Sequence, residues 1–485
     1  MSKKESTLLE NIIIFPDIFR TLITNSAYIS ENIRKDYLKK TDSLISQLKG
    51  IIQESQFKKK ILDDNTSRQD KVVQALTRLK NKTIGAIDGG LGTSFIGAVT
   101  PFIMRAVTYS VTIGDKSVNR EKFTPARFLV NRLRGGGLNI DESRLGALLL
   151  LFELSSALES LKANKNYEIF LIHGPLVRSL GQYSIYTFEM SDLKQIMGKD
   201  NFEKFYDHYR SFEDKYGGLG LNKKELSYFL AVTSILNNIF SIAKENKISI
   251  VGIVERSNST ELIQTLIFKH FDKIYKEKKD WFIKINGISF TGKDERKKIR
   301  YIKQFLDNLG YTDTLLFGSI LEEGEYSEFQ LSRQNKNQGD NLKIGLDAGF
   351  IGRLTNLERF VPESKFSYIR TSNFNRPFKI EIPSWINKSG EKKIVDAIYT
   401  FSKFLPRYAF PVNLDVVDKV AKVSNQLTKA FMFLIEKDIY NGLIEEGKCG
   451  RDLPLSLLSR KMRDWQYRPS AATSIIKHKF KDMSY

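Results

Sequence analysis

Lys82-Thr83-Ile84-Gly85-Ala86-Ile87-Asp88-Gly89-Gly90-Leu91-Gly92 is an apolar run that ends in one acid and then breaks into glycines. A short apolar stretch bounded by turn residues reads as a buried strand. That reading places Asp88 at the strand end, where the backbone opens toward solvent. The glycines admit positive φ and leave space for a close approach. A carboxylate beside side-chain-free backbone suits a divalent cation and a phosphate. Asp-Gly is also the commonest turn dipeptide, so a plain strand-to-turn junction reads the same way. The rest of the chain has to separate the two.

Two further strand patterns follow at Ser94–Val99 and Phe102–Ile113, set off by Gly and Pro, which predicts an antiparallel meander. Phe123 to Gly137 reads as a flexible basic loop, with Arg127, Arg132 and Arg134 before Gly135-Gly136-Gly137. Such a loop reaches a phosphate backbone or serves as a surface linker. Asp141-Glu142-Ser143 opens a helix to about Ala163, its acids suited to the N-terminal end. Glu153 falls in its most apolar part, where an acid is costly to bury unless something binds it. Tyr167–Ile172 is a fourth strand and ends in His173-Gly174-Pro175-Leu176. After helical stretches at 191–212 and 223–245, Ile248–Val254 is a fifth strand, ending in Glu255. Three antiparallel strands followed by helix-linked parallel ones is the order of a ribonuclease-H-like core. The fold class expected is therefore α/β, a mixed sheet flanked by helices. Function in α/β sheets gathers at the carboxyl ends of strands. Asp88, His173 and Glu255 all stand at such ends.

The flanking regions are polar and basic. Residues 1–80 show helical apolar spacing (Leu44, Ile45, Leu48, Ile51, Ile52) and read as an N-terminal helical region. Its Lys58-Lys59-Lys60 run is a solvated face or a DNA contact. Between 272 and 310, lysines and arginines, among them Lys297, Lys298 and Arg300, frame Trp281 and Phe282. Basic residues interleaved with aromatics suit single-stranded nucleic acid, and a charged helix surface gives the same pattern. Tyr311 to Phe329 reads as an element end plus a turn, and residues 333–341 as a polar loop. Tyr368–Arg370 and Phe378–Ile382 read as strands. Asp415 leads into one helix from Val416 to about Ile439, with Asp418 near its start. This gives a helical region at 1–80, a main domain at 81–440 and a basic tail at 441–485.

Composition narrows the function classes. The chain has 485 residues, 76 Lys+Arg against 56 Asp+Glu, and a formal net charge of +20. A chain this basic usually meets a polyanion, with nucleic acid the default partner. No apolar run reaches the ~18 residues of a spanning helix, and the N-terminus lacks the pattern of a signal peptide, so a cytoplasmic location is expected. One cysteine, Cys449, excludes an intrachain disulfide and a cysteine-rich zinc site. The 4 histidines are scattered, so any metal is held mainly by carboxylates, which favours Mn²⁺ or Mg²⁺. No nucleotide-hydrolysing P-loop is present.

Four places in the chain resemble the NurA nucleases. They are Ile87-Asp88-Gly89-Gly90, the helix with Phe152-Glu153-Leu154-Ser155-Ser156-Ala157, the strand ending in His173-Gly174-Pro175-Leu176, and Tyr408-Ala409-Phe410-Pro411 before the late helix. The segment Arg370…Arg376-Pro377-Phe378-Lys379-Ile380-Glu381-Ile382-Pro383 also looks like the family's late strand, and the likeness spans roughly residues 80–440. The resemblance implies a ribonuclease-H-like (PIWI-like) fold and a homodimer. It also implies Mn²⁺-dependent digestion of DNA and a HerA-type hexameric ATPase partner. By the same likeness Asp88 and Glu153 match acidic metal ligands. Two positions depart from it. His173 stands where the family has Asp, and Asp415 and Asp418 stand where it has a histidine. The candidate catalytic residues are thus Asp88, Glu153 and His173. Glu255, Asp415 and Asp418 join them as candidate metal ligands, and Arg132, Arg134, Lys297, Lys298, Arg300 and Arg370 as candidate DNA contacts. The readings in competition are a non-catalytic, NurA-like DNA-binding or docking subunit and a basic RNA-associated protein.

Overall fold

The computed structural model describes residues 57–61, 67–93, 99–134, 138–176, 188–216, 223–292, 295–332, 361–405 and 409–445, with scattered residues between 21 and 46. In chain order the elements begin with β1 (Lys58–Lys60), α1 (Arg68–Arg78), β2 (Thr83–Thr93), β3 (Val99–Thr112) and β4 (Glu121–Arg134). Next come α2 (Leu138–Ala163), β5 (Tyr167–His173), α3 (Met190–Met197), α4 (Lys199–Tyr216), α5 (Lys223–Glu245) and β6 (Ser249–Val254). Helices α6 (Glu261–Lys269), α7 (Phe271–Asn286), α8 (Glu295–Leu309) and α9 (Asp313–Ile320) follow, then β7 (Glu325–Ser327) and β8 (Gln330–Leu331). The chain continues with β9 (Ser364–Arg370), β10 (Phe378–Pro383), α10 (Lys388–Ser402), α11 (Val412–Ala421) and α12 (Asn425–Glu445). They fall into two compact units. The larger comprises Lys60–Arg256 and Phe329–Tyr485, the smaller Met1–Lys59 and Ser257–Glu328.

A mixed sheet forms the larger unit, with β9, β10, β6, β5, β2, β3 and β4 as successive neighbours and β8 beside β9. The β2, β3 and β4 ladders are antiparallel, β2–β5 and β5–β6 are parallel, and β10 runs antiparallel to β6. The parallel strands are almost wholly apolar (Ile84, Ala86, Ile87; Ile169–Ile172; Ile250–Ile253) because both faces are covered. One face packs on α2, α3, α4 and α5, whose Leu148, Leu151, Leu158, Tyr228, Leu236 and Phe240 share a core with Met104, Phe170 and Ile250. α11 lies against β2, β3 and β5.

The expected meander is present but is built differently. Its third strand is β4, the segment read as a basic loop, while residues 94–98 of the expected second strand lie outside the described residues. Pro125 and the run of cations conceal β4. It is an edge strand, where Pro and cations are tolerated, and the ladder shifts register between Ala106 and Thr108, opposite Pro125. Gly198 at φ 78 splits the helix expected over 191–212 into α3 and α4. The late helix is likewise two, because Lys422 turns extended (φ −55, ψ 123) and Ser424 Oγ accepts from Leu427 N–H to start α12.

In the smaller unit, Lys58 and Lys59 belong to the strand β1 beside β7 and not to a helix, with Lys58 paired to Glu325 at 2.9 Å. The segment read as an element end plus a turn contains helix α9. Its Asp313 is fully buried and accepts from the N–H groups of Leu262 and Ile263 at the start of α6. Phe282 is also fully buried and stacks on Phe305 with centroids 4.1 Å apart, and Trp281 meets Phe305 edge-on. Phe282 and Phe305 make the core of the unit and present no stacking surface, while Trp281 is partly exposed. Leu44 to Leu48 (Ser46 apart), Ile51 and Ile52, the 333–341 loop and the 446–485 tail lie outside the described residues.

Candidate metal centre

The centre sits where β5 ends and β2 runs on. Ile87 pairs with Ile172, so the next residues, Asp88 and His173, come level on neighbouring parallel strands. Asp88 is 6% exposed, with Oδ1 accepting from Gly89 N–H at 2.8 Å and Oδ2 lying 2.9 Å from His173 Nδ1. The third member comes from α11. One ligand atom each from Asp88, His173 and Asp418 lies within 4.8 Å of the others, the one such cluster found among the described residues.

Close packing brings these elements together. A Cβ on Gly89 would fall 2.4 Å from Glu153 Oε1, and one on Gly90 would fall 2.2 Å from the Ala421 carbonyl oxygen. Gly92 is likewise filled against Val423 and Thr428. The glycines after Asp88 therefore admit Glu153 of α2 and the end of α11, not an approaching ligand as the sequence suggested. Phe410 packs its ring on His173, centroids 5.7 Å apart, and meets Phe378 edge-on. Ala409 holds φ 52, and its carbonyl accepts from Thr371 Oγ1 at 2.6 Å. Beyond His173, Gly174 at φ 125 donates to the Ile253 carbonyl, and Leu176 N–H donates to Glu381 Oε2 at 2.8 Å.

The electrostatics are those of crowded acids around one imidazole. Burial works against the His173 imidazolium. Its hydrogen bond to Asp88 and the charges of Asp88, Glu153 and Asp418 outweigh that and raise its pKa above the ordinary histidine value. Burial, then the charge and hydrogen bonding of Asp88, raise the Asp418 carboxyl against the pull of His173 and Lys422. A carboxyl pushed up by its neighbour marks negative charge that a cation would offset. Two carboxylate oxygens and an imidazole nitrogen are a donor set for Mn²⁺ or Mg²⁺, and ligands on one ion stand at most about 4.4 Å apart at ~2.2 Å bonds, close to the spacing seen. The residues fit such an ion.

Among the sequence candidates, Asp88, His173 and Asp418 meet, with Glu153 against Gly89 beside them. Glu255 is half-buried two residues past Ile253 and stands outside the three-ligand group. Asp415 pairs with Lys419 at 2.6 Å. Arg132 is exposed on β4, and Arg134 ends that strand. Lys297 and Arg300 are exposed on α8, but the Lys298 ammonium is engaged by Asp272 at 3.3 Å and by the rings of Phe268 and Phe271. The Arg370 guanidinium bonds the carbonyls of Ser372 and Asn373. Sequence reasoning passed over Lys379–Glu381, a buried ion pair at 2.7 Å whose acid pins the turn after His173. Its signal was there: two opposite charges alternating within Phe378-Lys379-Ile380-Glu381-Ile382.

A mixed sheet with two carboxylates and an imidazole converging at a strand end defines an α/β protein with a candidate divalent-metal centre. The NurA domain model matches residues 82–423, and the chain belongs to the NurA family. The structure is similar to the crystal structure of the NurA nuclease from Sulfolobus solfataricus, at 14% identity and TM-score 0.46 over 91% of this chain and 98% of that one. It is also similar to a crystal structure of NurA with manganese (12%, TM-score 0.41, 84% and 96% covered). A third, NurA bound to dAMP and manganese, matches at 11% and TM-score 0.29, with 79% and 94% covered. The family assignment rests on the domain match. A comparison with curated protein sequences finds no match.

Proposed function

We propose that this chain is a metal-dependent DNA nuclease of the NurA family, an end-resecting exonuclease that also acts as an endonuclease. The observation that carries the reading is the convergence of Asp88, His173 and Asp418 within 4.8 Å. Asp88, His173 and Asp418 hold the ion, and Glu153 adds negative charge from the opposite side of Gly89. A bound Mn²⁺ or Mg²⁺ supplies Lewis acidity toward a phosphodiester and an acidified water. The Gly89 N–H fixes the Asp88 carboxylate and Phe410 fixes the imidazole plane, so the donors are aimed before the ion arrives. The acids repel DNA by themselves, and the +20 chain supplies the attraction.

The neighbour order β4-β3-β2-β5-β6, antiparallel then parallel, supports a ribonuclease-H-like (PIWI-like) core. Family membership supports a homodimer working in the cytoplasm with a HerA-like hexameric ATPase, in DNA repair or in defence against foreign DNA. The 81–440 nuclease domain, flanked by a helical region and a basic tail, belongs to the same proposal. A second reading is a non-catalytic DNA-binding or docking subunit, favoured by the imidazole at 173. End-labelled linear DNA incubated with Mn²⁺, Mg²⁺ or EDTA separates them. The nuclease shortens DNA with metal and stops in Asp88→Asn while still binding it. The docking subunit binds DNA and cuts it under no condition.

A further inference from the structure

The face of the sheet that carries Asp88 continues past the metal centre. Residues directly paired across antiparallel strands project to the same face, and every second residue along a strand joins them. Gly90 pairs with Arg105 and Arg105 with Phe128, so Asp88, Arg105, Phe128, Val130 and Arg132 share one face. Tyr109 pairs with Phe123, which the bulge brings onto that face too. There Phe128 is 53% exposed, Phe123 48% and Val130 39%. Arg132 is exposed and Arg105 partly so. Among the described residues no acid or hydrogen-bond acceptor engages either guanidinium, since the bond at Arg132 uses its backbone N–H. The opposite face of the same strand differs. There Arg127 meets Glu159 at 3.4 Å, donates to the Ile196 carbonyl and covers the Phe152 ring.

We propose that this outer face of β3 and β4 is a platform for single-stranded DNA, with Phe128 stacking on a base and Arg105 and Arg132 holding phosphates. The proposal rests on the nuclease reading and names the form of its substrate. A protein partner seated on the apolar residues would bury two unpartnered guanidiniums, which is costly. A polyanion neutralises both, and every base offers a ring face to Phe128. Two strand spacings and two residues separate Phe128 from Asp88, roughly 12 Å.

The test is anisotropy of a labelled single-stranded oligonucleotide on the full chain in EDTA, which prevents cutting. Phe128→Leu keeps an apolar contact but removes the stack, so it is expected to weaken binding roughly ten-fold while Phe128→Trp restores it. Arg105→Ala with Arg132→Ala is expected to lower the salt slope by about 1.4, two phosphates at ~0.7 each. Wild-type binding by Phe128→Leu and by the double arginine variant overturns the proposal. So does a change in light-scattering mass of Phe128→Leu with DNA binding intact, which would assign the face to a second copy of the chain. Cleavage of DNA with Mn²⁺, lost in Asp88→Asn, is scored separately, so the platform can fail while the nuclease reading stands.

Discussion

His173 Nδ1 lies 2.9 Å from Asp88 Oδ2, so the imidazole stands where it compensates a carboxylate that a cation would otherwise have to neutralise. With His173 in place the metal-free centre is tolerable, because against the cost of burial the imidazolium is favoured by its hydrogen bond to Asp88 and by the charges of Asp88, Glu153 and Asp418. His173→Asp puts a third carboxylate there. Its metal-free form is expected to lose on the order of 1 kcal/mol, and Mn²⁺ to raise its melting temperature more than that of wild type. Thermal unfolding with and without Mn²⁺ measures both, and equal metal-induced shifts would refute the charge argument.

Asp418→Asn should act in the opposite sense. The carboxyl is raised by burial and by Asp88, so its ionised form opposes folding above its ordinary pKa. The amide is expected to leave the metal-free protein as stable or more stable at neutral pH, and to weaken Mn²⁺ binding at least ten-fold. Calorimetric titration reads the second effect, and unchanged affinity would remove Asp418 from the centre.

Gly89→Ala drives a methyl group into Glu153, with contact at 2.4 Å in place of ordinary packing. Overpacking of this kind costs about 1–3 kcal/mol. The added Glu153→Ala exchange is expected to recover part of that stability without recovering cleavage. Denaturant midpoints of the single and double variants test the coupling.

Lys379 and Glu381 are buried together, 6% and 5% exposed at their side chains. Glu381→Leu alone takes this carboxylate from the buried Lys379 ammonium and the acceptor from the Leu176 N–H, at about 3–5 kcal/mol. Paired with Lys379→Met, the loss is expected to shrink to the part owed to Leu176. If the double variant is no better than the single, the pair is not the source of the cost.

Glu168 offers a pH test away from the centre. Burial raises its carboxyl pKa, but hydrogen bonds and charge from Lys393 and Lys82 outweigh this and hold it below the ordinary 4.5. A depressed carboxyl contributes stability that is present above the unfolded pKa and lost as pH falls through the folded one. Glu168→Gln is therefore expected to flatten melting temperature against pH below about 4.5. The same slope in both proteins would show the pairs to be immaterial.

Much of this site was legible although only His173 ends its strand: β2 runs on past Asp88 to Thr93, against the strand end expected there, and Glu153 lies within α2. Asp88, Glu153 and His173 each interrupt an apolar run, and a charged or polar residue there has to be satisfied by something specific. Asp418 was harder to choose, since Asp415 is three residues away and only packing shows that it turns to Lys419. β4 was hidden because edge strands follow looser rules of composition. The Phe282 cluster stayed open between two readings for a related reason: aromatics between lysines look the same whether they face DNA or one another. The glycines after Asp88 were seen, but what fills them is tertiary and comes from residues 153 and 421.

The order of those residues along the chain bears on how the protein is made. Asp88 and Asp418 lie 330 positions apart (418 − 88), and α11 packs on Gly90 and against β2, β3 and β5. Such long-range closure is slow and late. On the ribosome, the first two strands and α2 emerge long before α11 does, so a nascent or truncated chain carries Asp88 without its partner from the other end. A chain that stops before α11 lacks Asp418, so on the proposed reading it cannot complete the metal centre.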